Sequence, residues 1–105
     1  MSGAIFVYVT CASREEARLI ARALVDERLV ACANLRPHES IYRWNGAVES
    51  AEEWGLVLKT TAAAWERVAS RVNALHSYKC PCIVALPVAA GHAPFLDWIR
   101  GEVSA

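Results

Sequence analysis

Ser40-Ile41-Tyr42-Arg43-Trp44-Asn45-Gly46-Ala47-Val48 is the stretch that decides the fold. Asn45 and Gly46 both tolerate positive φ, which the two central residues of a type I′ hairpin turn require. The β-branched and aromatic run before them reads as a strand. A return strand runs from Ala47 to Lys59, where Trp54, Leu56 and Leu58 alternate with Gly55, Val57 and Lys59. That period of two gives the strand two distinct faces. The first arm of the hairpin begins at Leu29–Ala33. It is expected to break around Pro37, at a bulge or a sheet edge, because proline has no N–H for the ladder. A second break is expected in the return arm at the acidic Ala51-Glu52-Glu53.

Outward from the hairpin, Ile5–Thr10 is apolar on both faces and reads as a central strand. Ser13 then stands three residues before Glu16, the spacing of a capping box. Ala17, Ile20, Ala21, Leu24 and Val25 make the apolar stripe of a helix that ends near Glu27-Arg28. Beyond the hairpin, Thr61 is placed to cap a second helix with the stripe Trp65, Val68, Ala69, Val72 and Leu75 or His76. Ile83–Leu86 is a short buried strand stopped by Pro87, and Pro94 opens a last helix. The order βαββαβ plus a terminal helix, over a single domain spanning 1–105, is a ferredoxin-like α+β arrangement. Its sheet order is 4-1-3-2, with the helices on one face. Hairpin arms of about a dozen residues would reach roughly 40 Å at ~3.3 Å per residue, farther than so small a domain can cover. The overhang, assigned Tyr42, Trp44 and Trp54, is expected to be covered by further copies of the chain.

Composition points the same way. Apolar residues are 55% of the chain and charged residues 21%. A surplus of apolar surface on a small domain goes to subunit interfaces. The 11 basic and 11 acidic side chains balance, and no Lys/Arg cluster offers attraction to a phosphate backbone, so nucleic acid is not an expected partner. No run approaches the roughly 20 apolar residues of a membrane span. Met1-Ser2-Gly3-Ala4 lacks the basic and apolar regions of a signal peptide, which leads to an expected cytoplasmic location. In that compartment the four cysteines are expected as thiols, not disulfides.

Strand four runs antiparallel beside strand one, so its start meets the end of strand one. That topology gathers Cys11, Cys80 and Cys82 at one end of the sheet, with His76 and His92 on nearby segments and Cys32 at the opposite end. Thiolates are soft donors suited to copper(I) or zinc more than magnesium. Cys-Pro-Cys lacks the paired spacing of a structural zinc site, and a buried cysteine also serves as a small hydrophobe. A helix-terminal histidine such as His76 also serves as a cap or dipole partner. Lys59 closes a strand where an anion pocket could sit, and Trp98 is read as core or interface. No nucleophile elbow, HExxH or Gly-rich phosphate loop is present, and no pair of carboxylates is placed for acid–base work, so no enzyme is expected.

Several segments together resemble the CutA divalent-cation tolerance family. They are Val9–Ser13, Glu27–Asn34, Ser40–Trp44, Leu58–Thr61, Leu75–Tyr78 and Ile83–Pro87, with Trp98-Ile99 near the end. The resemblance covers nearly the whole chain in order. It implies a ferredoxin-like subunit, a tight homotrimer, a cytoplasmic protein and a link to divalent metals, copper especially. It also implies, through likeness to PII signalling trimers, ligand sites between subunits. One departure stands out. Where the family usually reads Tyr-Glu-Val-Pro-Glu-Ile, this chain has Tyr78-Lys79-Cys80-Pro81-Cys82-Ile83. A hard carboxylate is lost and a thiol gained, which shifts the expected preference toward copper(I) or zinc.

The leading expectation is therefore a homotrimer that binds copper or zinc through Cys11, Cys80, Cys82 and His76, with no obligatory cofactor. A regulatory trimer taking a small molecule between subunits near Lys59, His76, Tyr78 and Trp98 is the first alternative. A structural or adaptor trimer with incidental metal binding is the second.

Overall fold

The computed structural model describes residues 2–104. Four strands, β1 (Ala4–Cys11), β2 (Cys32–Trp44), β3 (Ala47–Thr61) and β4 (Ile83–Pro87), form one antiparallel sheet in the order β2-β3-β1-β4. This is the expected ferredoxin-like order read from the other edge. Helices α1 (Arg14–Asp26) and α2 (Trp65–Leu75) supply the crossovers, and α3 (Ala93–Glu102) ends the fold.

Period-two burial shows which face they cover. Val7, Val9 and Cys11 of β1 are fully buried, as are Leu56 and Leu58 of β3 opposite them. They pack with Ala17, Ile20 and Leu24 of α1 and Val68 and Val72 of α2 in one core. Burying each such aliphatic side chain contributes about 1.5–3 kcal/mol before entropy is counted. Residues one step out of phase, Phe6, Tyr8, Thr10, Val57 and Lys59, are only half-buried and point to the opposite, open face.

The turn chemistry behaves as the sequence dictates. Asn45 and Gly46 take φ of 50° and 80°, the paired positive values of a type I′ turn. At the head of α1, Ser13 Oγ accepts a hydrogen bond from the Glu16 backbone N–H at 3.1 Å.

Several local expectations are corrected, among them the buried last strand, since Val84 and Leu86 of β4 are exposed. Strand β2 starts at Cys32, not Leu29, and runs through Pro37 without interruption. Of the two alternatives expected at Pro37 the sheet edge is the one found: β2 is paired on one side only, so the missing N–H breaks no second ladder. Strand β3 likewise runs through Glu52-Glu53, because β2 pairs with it along its whole length. Thr61 makes no side-chain cap; a short 3₁₀ turn, Ala62–Ala64, leads into α2. Val25 faces solvent rather than the core.

The hairpin does project. Pairing of β1 with β3 stops at Cys11–Trp54, so β3 from Ala47 to Glu53 is paired with β2 alone. The fold measures 44 Å along its longest axis against 26 and 22 Å. Ile41, Tyr42, Trp44 and Val48 are all exposed on the projection. Trp54 is not part of it: it sits at the root, packed against the core, with the Arg14 guanidinium 6.0 Å from its ring centroid.

Candidate metal centre

The end of β1 does collect donor groups, and Cys11 and His76 are among them. Cys11, Glu16 and His76 place one ligand atom each within 4.8 Å of one another. Three elements converge to do this: Cys11 ends β1, Glu16 is in the first turn of α1, and His76 caps α2. Sequence reasoning missed Glu16. Its capping-box position predicts a bond to its own helix start, yet Oε1 accepts from the Ala12 N–H at 3.0 Å and Oε2 accepts from the Ser77 N–H at 2.8 Å.

Each donor of this group is already engaged. The His76 side chain is fully buried. Its Nε2 lies 2.8 Å from the Thr10 carbonyl, which can only accept, so Nε2 carries the proton. The Tyr78 N–H donates to Nδ1 at 3.1 Å, so the remaining lone pair is used as well. Burial would raise the Glu16 carboxyl, but the Ser77 and Ala12 hydrogen bonds and the nearby His76 together hold it below the usual range. Burial first, then the Glu16 and Glu53 carboxylates, pushes the Cys11 thiol up to about 12. A metal needs a thiolate and a free imidazole lone pair. An ion entering this group would displace a thiol proton and at least one backbone hydrogen bond, so the arrangement as folded does not fit one. What the geometry does is staple the segment after α2 onto β1 and α1.

Cys80 and Cys82 stand apart from this group. Ile83 pairs with Val9 on the core face, so Cys82, one residue earlier, falls on the open face beside Thr10. Cys11 is on the other side of the sheet; a one-residue offset separates the two thiols by a face. All four cysteines are free; Cys80 is exposed and Cys82 half-buried. Burial and the Glu53 carboxylate raise the Cys82 thiol. Cys32 pairs with Lys59 opposite the start of β1, at the far end as expected. His92 is also far from Cys11: it caps α3, just beyond the exit of β4 where Val88 bonds to Ala4.

The residues expected to share a pocket divide between the two ends of the open face. At one end Lys59 Nζ lies 5.4 Å from the Phe6 ring centroid and 5.5 Å from that of Phe95, which stacks on Trp98. At the other, Tyr78 donates to Glu53 Oε2 at 2.7 Å and His76 reaches Thr10. Within one subunit these four residues do not line a single pocket.

A ferredoxin-like domain with an overhanging hairpin, and with Cys11, Glu16 and His76 packed together where β1, α1 and α2 meet, defines the class of α+β protein this chain is. The comparisons place it within that class. The model of the family described as CutA1 divalent ion tolerance protein matches residues 5–102. The divalent-cation tolerance protein CutA of Thermus thermophilus is 52% identical over 95 residues, covering 90% of this chain and 92% of that protein. That of Archaeoglobus fulgidus is 43% identical over 98 residues, covering 93% and 96%. A solved Archaeoglobus fulgidus structure, described as a periplasmic divalent cation tolerance protein, superposes with a TM-score of 0.94 at 40% identity, over 96% of this chain and 99% of its own. The Thermus thermophilus structure gives 0.93 at 48% identity, over 96% and 99%. This chain belongs to the CutA1 divalent ion tolerance family. The family is named for tolerance of metal ions, not for a catalysed reaction.

Proposed function

We propose that the protein is a non-enzymatic, cytoplasmic homotrimer of divalent-cation tolerance that takes up soft metal ions, copper(I) or zinc, at the Cys80-Pro81-Cys82 turn. The observation that carries the metal reading is the contrast among the thiols. Cys80 and Cys82 are free and solvent-accessible, whereas Cys11 is buried and holds its proton. His76 supports the turn from below: its ring accepts from the Tyr78 N–H. No helix among the described residues is long and apolar enough to cross a membrane.

The trimer is supported by the thirteen-residue edge strand β2 and the exposed Ile41, Tyr42, Trp44 and Val48 on the overhang. A long edge left open, with exposed apolar side chains toward its tip, is a site for further pairing. Copies that lend each other their hairpins would bury more than the ~1,600 Å² of a standard interface. Trp44→Ala should weaken assembly in sedimentation velocity, while Arg18→Ala on the exposed face of α1 leaves it intact. A stable wild-type monomer at micromolar concentration would refute the trimer.

The metal reading is tested by copper(I) competition on the reduced protein. Cys80→Ser and Cys82→Ser should each lose most copper(I) affinity and keep the oligomer, because a hydroxyl preserves size but is a poor soft donor. Affinity should fall with pH, since the ion must displace protons that burial holds on Cys82. Unchanged copper(I) binding in Cys82→Ser would make the metal incidental. A second reading is favoured by Lys59, whose ammonium rests over two phenyl rings. A trimer that joins this end of one subunit to the Tyr78 end of the next would hold a small anion between them. Ligand bound between subunits after gentle purification would favour that reading.

A further inference from the structure

Glu53 is the first residue of β3 beyond the reach of β1, because their pairing ends at Cys11–Trp54. From there outward the hairpin is a ribbon of two strands, with His38 opposite Glu53 at its root. A two-stranded ribbon is marginal alone and twists more than a wider sheet. Just inside the root, buried Gly55 carries the His38 ring on the open face, where a Cβ would stand 3.1 Å from His38 Nδ1.

On the helix-covered face the root is not packed. A cleft of about 570 Å³ separates it from the start of α1, with Ser13 on one side and Pro37 and Trp54 on the other. On the open face one bond reaches it. The Tyr78 hydroxyl donates to Glu53 Oε2 at 2.7 Å, and the Glu53 side chain is only 11% exposed. Among the described residues this is the only hydrogen bond or ion pair that ties residues 38–53 to anything outside the hairpin. Tyr78 is itself anchored. Its N–H donates to His76 Nδ1 at 3.1 Å, and His76 Nε2 donates to the Thr10 carbonyl at 2.8 Å. The Ser77 N–H donates to Glu16 at 2.8 Å. The strap that leaves α2 therefore joins β1 and α1 to the root of the hairpin.

Leverage gives this bond its weight. The ribbon reaches roughly 23 Å beyond the root at ~3.3 Å per residue. A pivot of about 10° at the root would carry the tip by about 4 Å, close to the ~4.8 Å spacing of paired strands. Ile41, Tyr42, Trp44 and Val48 all ride on that tip. We propose that Tyr78 is a positioning residue for assembly: by holding Glu53 it fixes the angle at which the hairpin leaves the sheet, and with it the grip of the hairpin on a second copy of the chain. This rests on the trimer reading above and on no bound metal.

The test is subunit exchange between unlabelled and nitrogen-15-labelled full chain, followed by native mass spectrometry, with each variant first checked by circular dichroism. Tyr78→Phe removes one oxygen and should exchange at least tenfold faster than wild type. Glu53→Leu reads the same bond from its other side and should do likewise. The double variant should be no faster than the quicker single one, because both remove one interaction. Glu53→Gln should stay within threefold of wild type, since its amide oxygen still accepts from the hydroxyl. Lys79→Ala, an exposed neighbour on the strap, should leave the rate unchanged. Hydrogen exchange in Tyr78→Phe should rise in peptides covering 40–50 and not in β1. A wild-type exchange rate in folded Tyr78→Phe overturns the proposal and leaves the trimer standing. Glu53→Gln as fast as Glu53→Leu also overturns it, because charge and not the bond would then hold the root. A monomeric wild type removes the trimer reading and the proposal together.

Discussion

Two histidine–glutamate pairs lie in this small fold at nearly the same separation: His76 and Glu16 at 3.9 Å, His38 and Glu53 at 4.0 Å. Residue type and distance do not distinguish them; what differs is the use of their remaining atoms. His76 is fully buried and spends both nitrogens on backbone groups, and Glu16 spends both oxygens on backbone amides. His38 is partly open, its contact is an exchangeable hydroxyl, and Glu53 has one oxygen held by a side chain. The first pair is therefore tied into the backbone, and the second is held only through side chains. Proximity of donor atoms alone would have selected the first as the metal site.

The comparison breaks most visibly at His76. His76→Ala leaves the Thr10 carbonyl and the Tyr78 N–H without partners and opens a cavity in a fully buried position. Unsatisfied buried groups cost about 1–3 kcal/mol each, so a loss of about 3 kcal/mol is expected in urea unfolding. A loss below about 1 kcal/mol would mean that the staple is not holding this end of the sheet. Glu16→Gln is the next largest. It keeps one acceptor but turns an amide NH₂ toward a backbone N–H, and about 1–2 kcal/mol should be lost at neutral pH. The pH profile checks the same residue. The folded Glu16 carboxyl sits below its unfolded value. Its contribution is therefore complete above the unfolded carboxylate pKa and disappears as pH falls through the folded one. The variant should show a flatter acid limb.

The architecture was legible because it rests on local rules. Period-two alternation, the Asn45-Gly46 turn, the apolar stripes of α1 and α2 and Pro94 at the head of α3 name the four strands and three α-helices. The metal end was only half legible, and the reason is register. Cys11 ends β1 and Cys82 immediately precedes the neighbouring β4, yet a one-residue offset puts them on opposite faces, which strand order alone does not reveal. The His38–Glu53 pair carried a signal that went unread. A two-residue turn at Asn45-Gly46 pairs Trp44 with Ala47, and counting back along both arms brings His38 opposite Glu53. Glu16 carried no comparable signal, since its partner Ser77 lies 61 residues away across an interhelical junction.

The third break in the comparison is at Cys11, and it appears at alkaline pH. The thiol, ordinarily near 9, is held up to about 12 by burial and by the Glu16 and Glu53 carboxylates. The folded state keeps this proton more tightly than the unfolded chain. Folding is therefore fully supported by it below about pH 9, and the support is lost as pH rises toward about 12. Stability of the reduced protein should decline by on the order of 1 kcal/mol by about pH 10 from this group alone. Cys11→Ala, less stable at pH 7, should show a shallower alkaline decline. Parallel profiles would mean that burial does not hold the proton on this thiol.

The smallest effect expected is also the one that separates the two pairs most cleanly. In metal-free protein, His38→Asn removes a ring that is 28% exposed and a single neutral hydrogen bond to Ser40. Gly55 remains beneath it, and an asparagine leaves that space open without a clash. No backbone group is orphaned, and Glu53 keeps its bond from Tyr78. The stability change should stay within about 0.5 kcal/mol, the range of ordinary surface substitutions. If His38→Asn instead costs as much as His76→Ala without metal, His38 is a staple like its counterpart, and the distinction between the two pairs disappears.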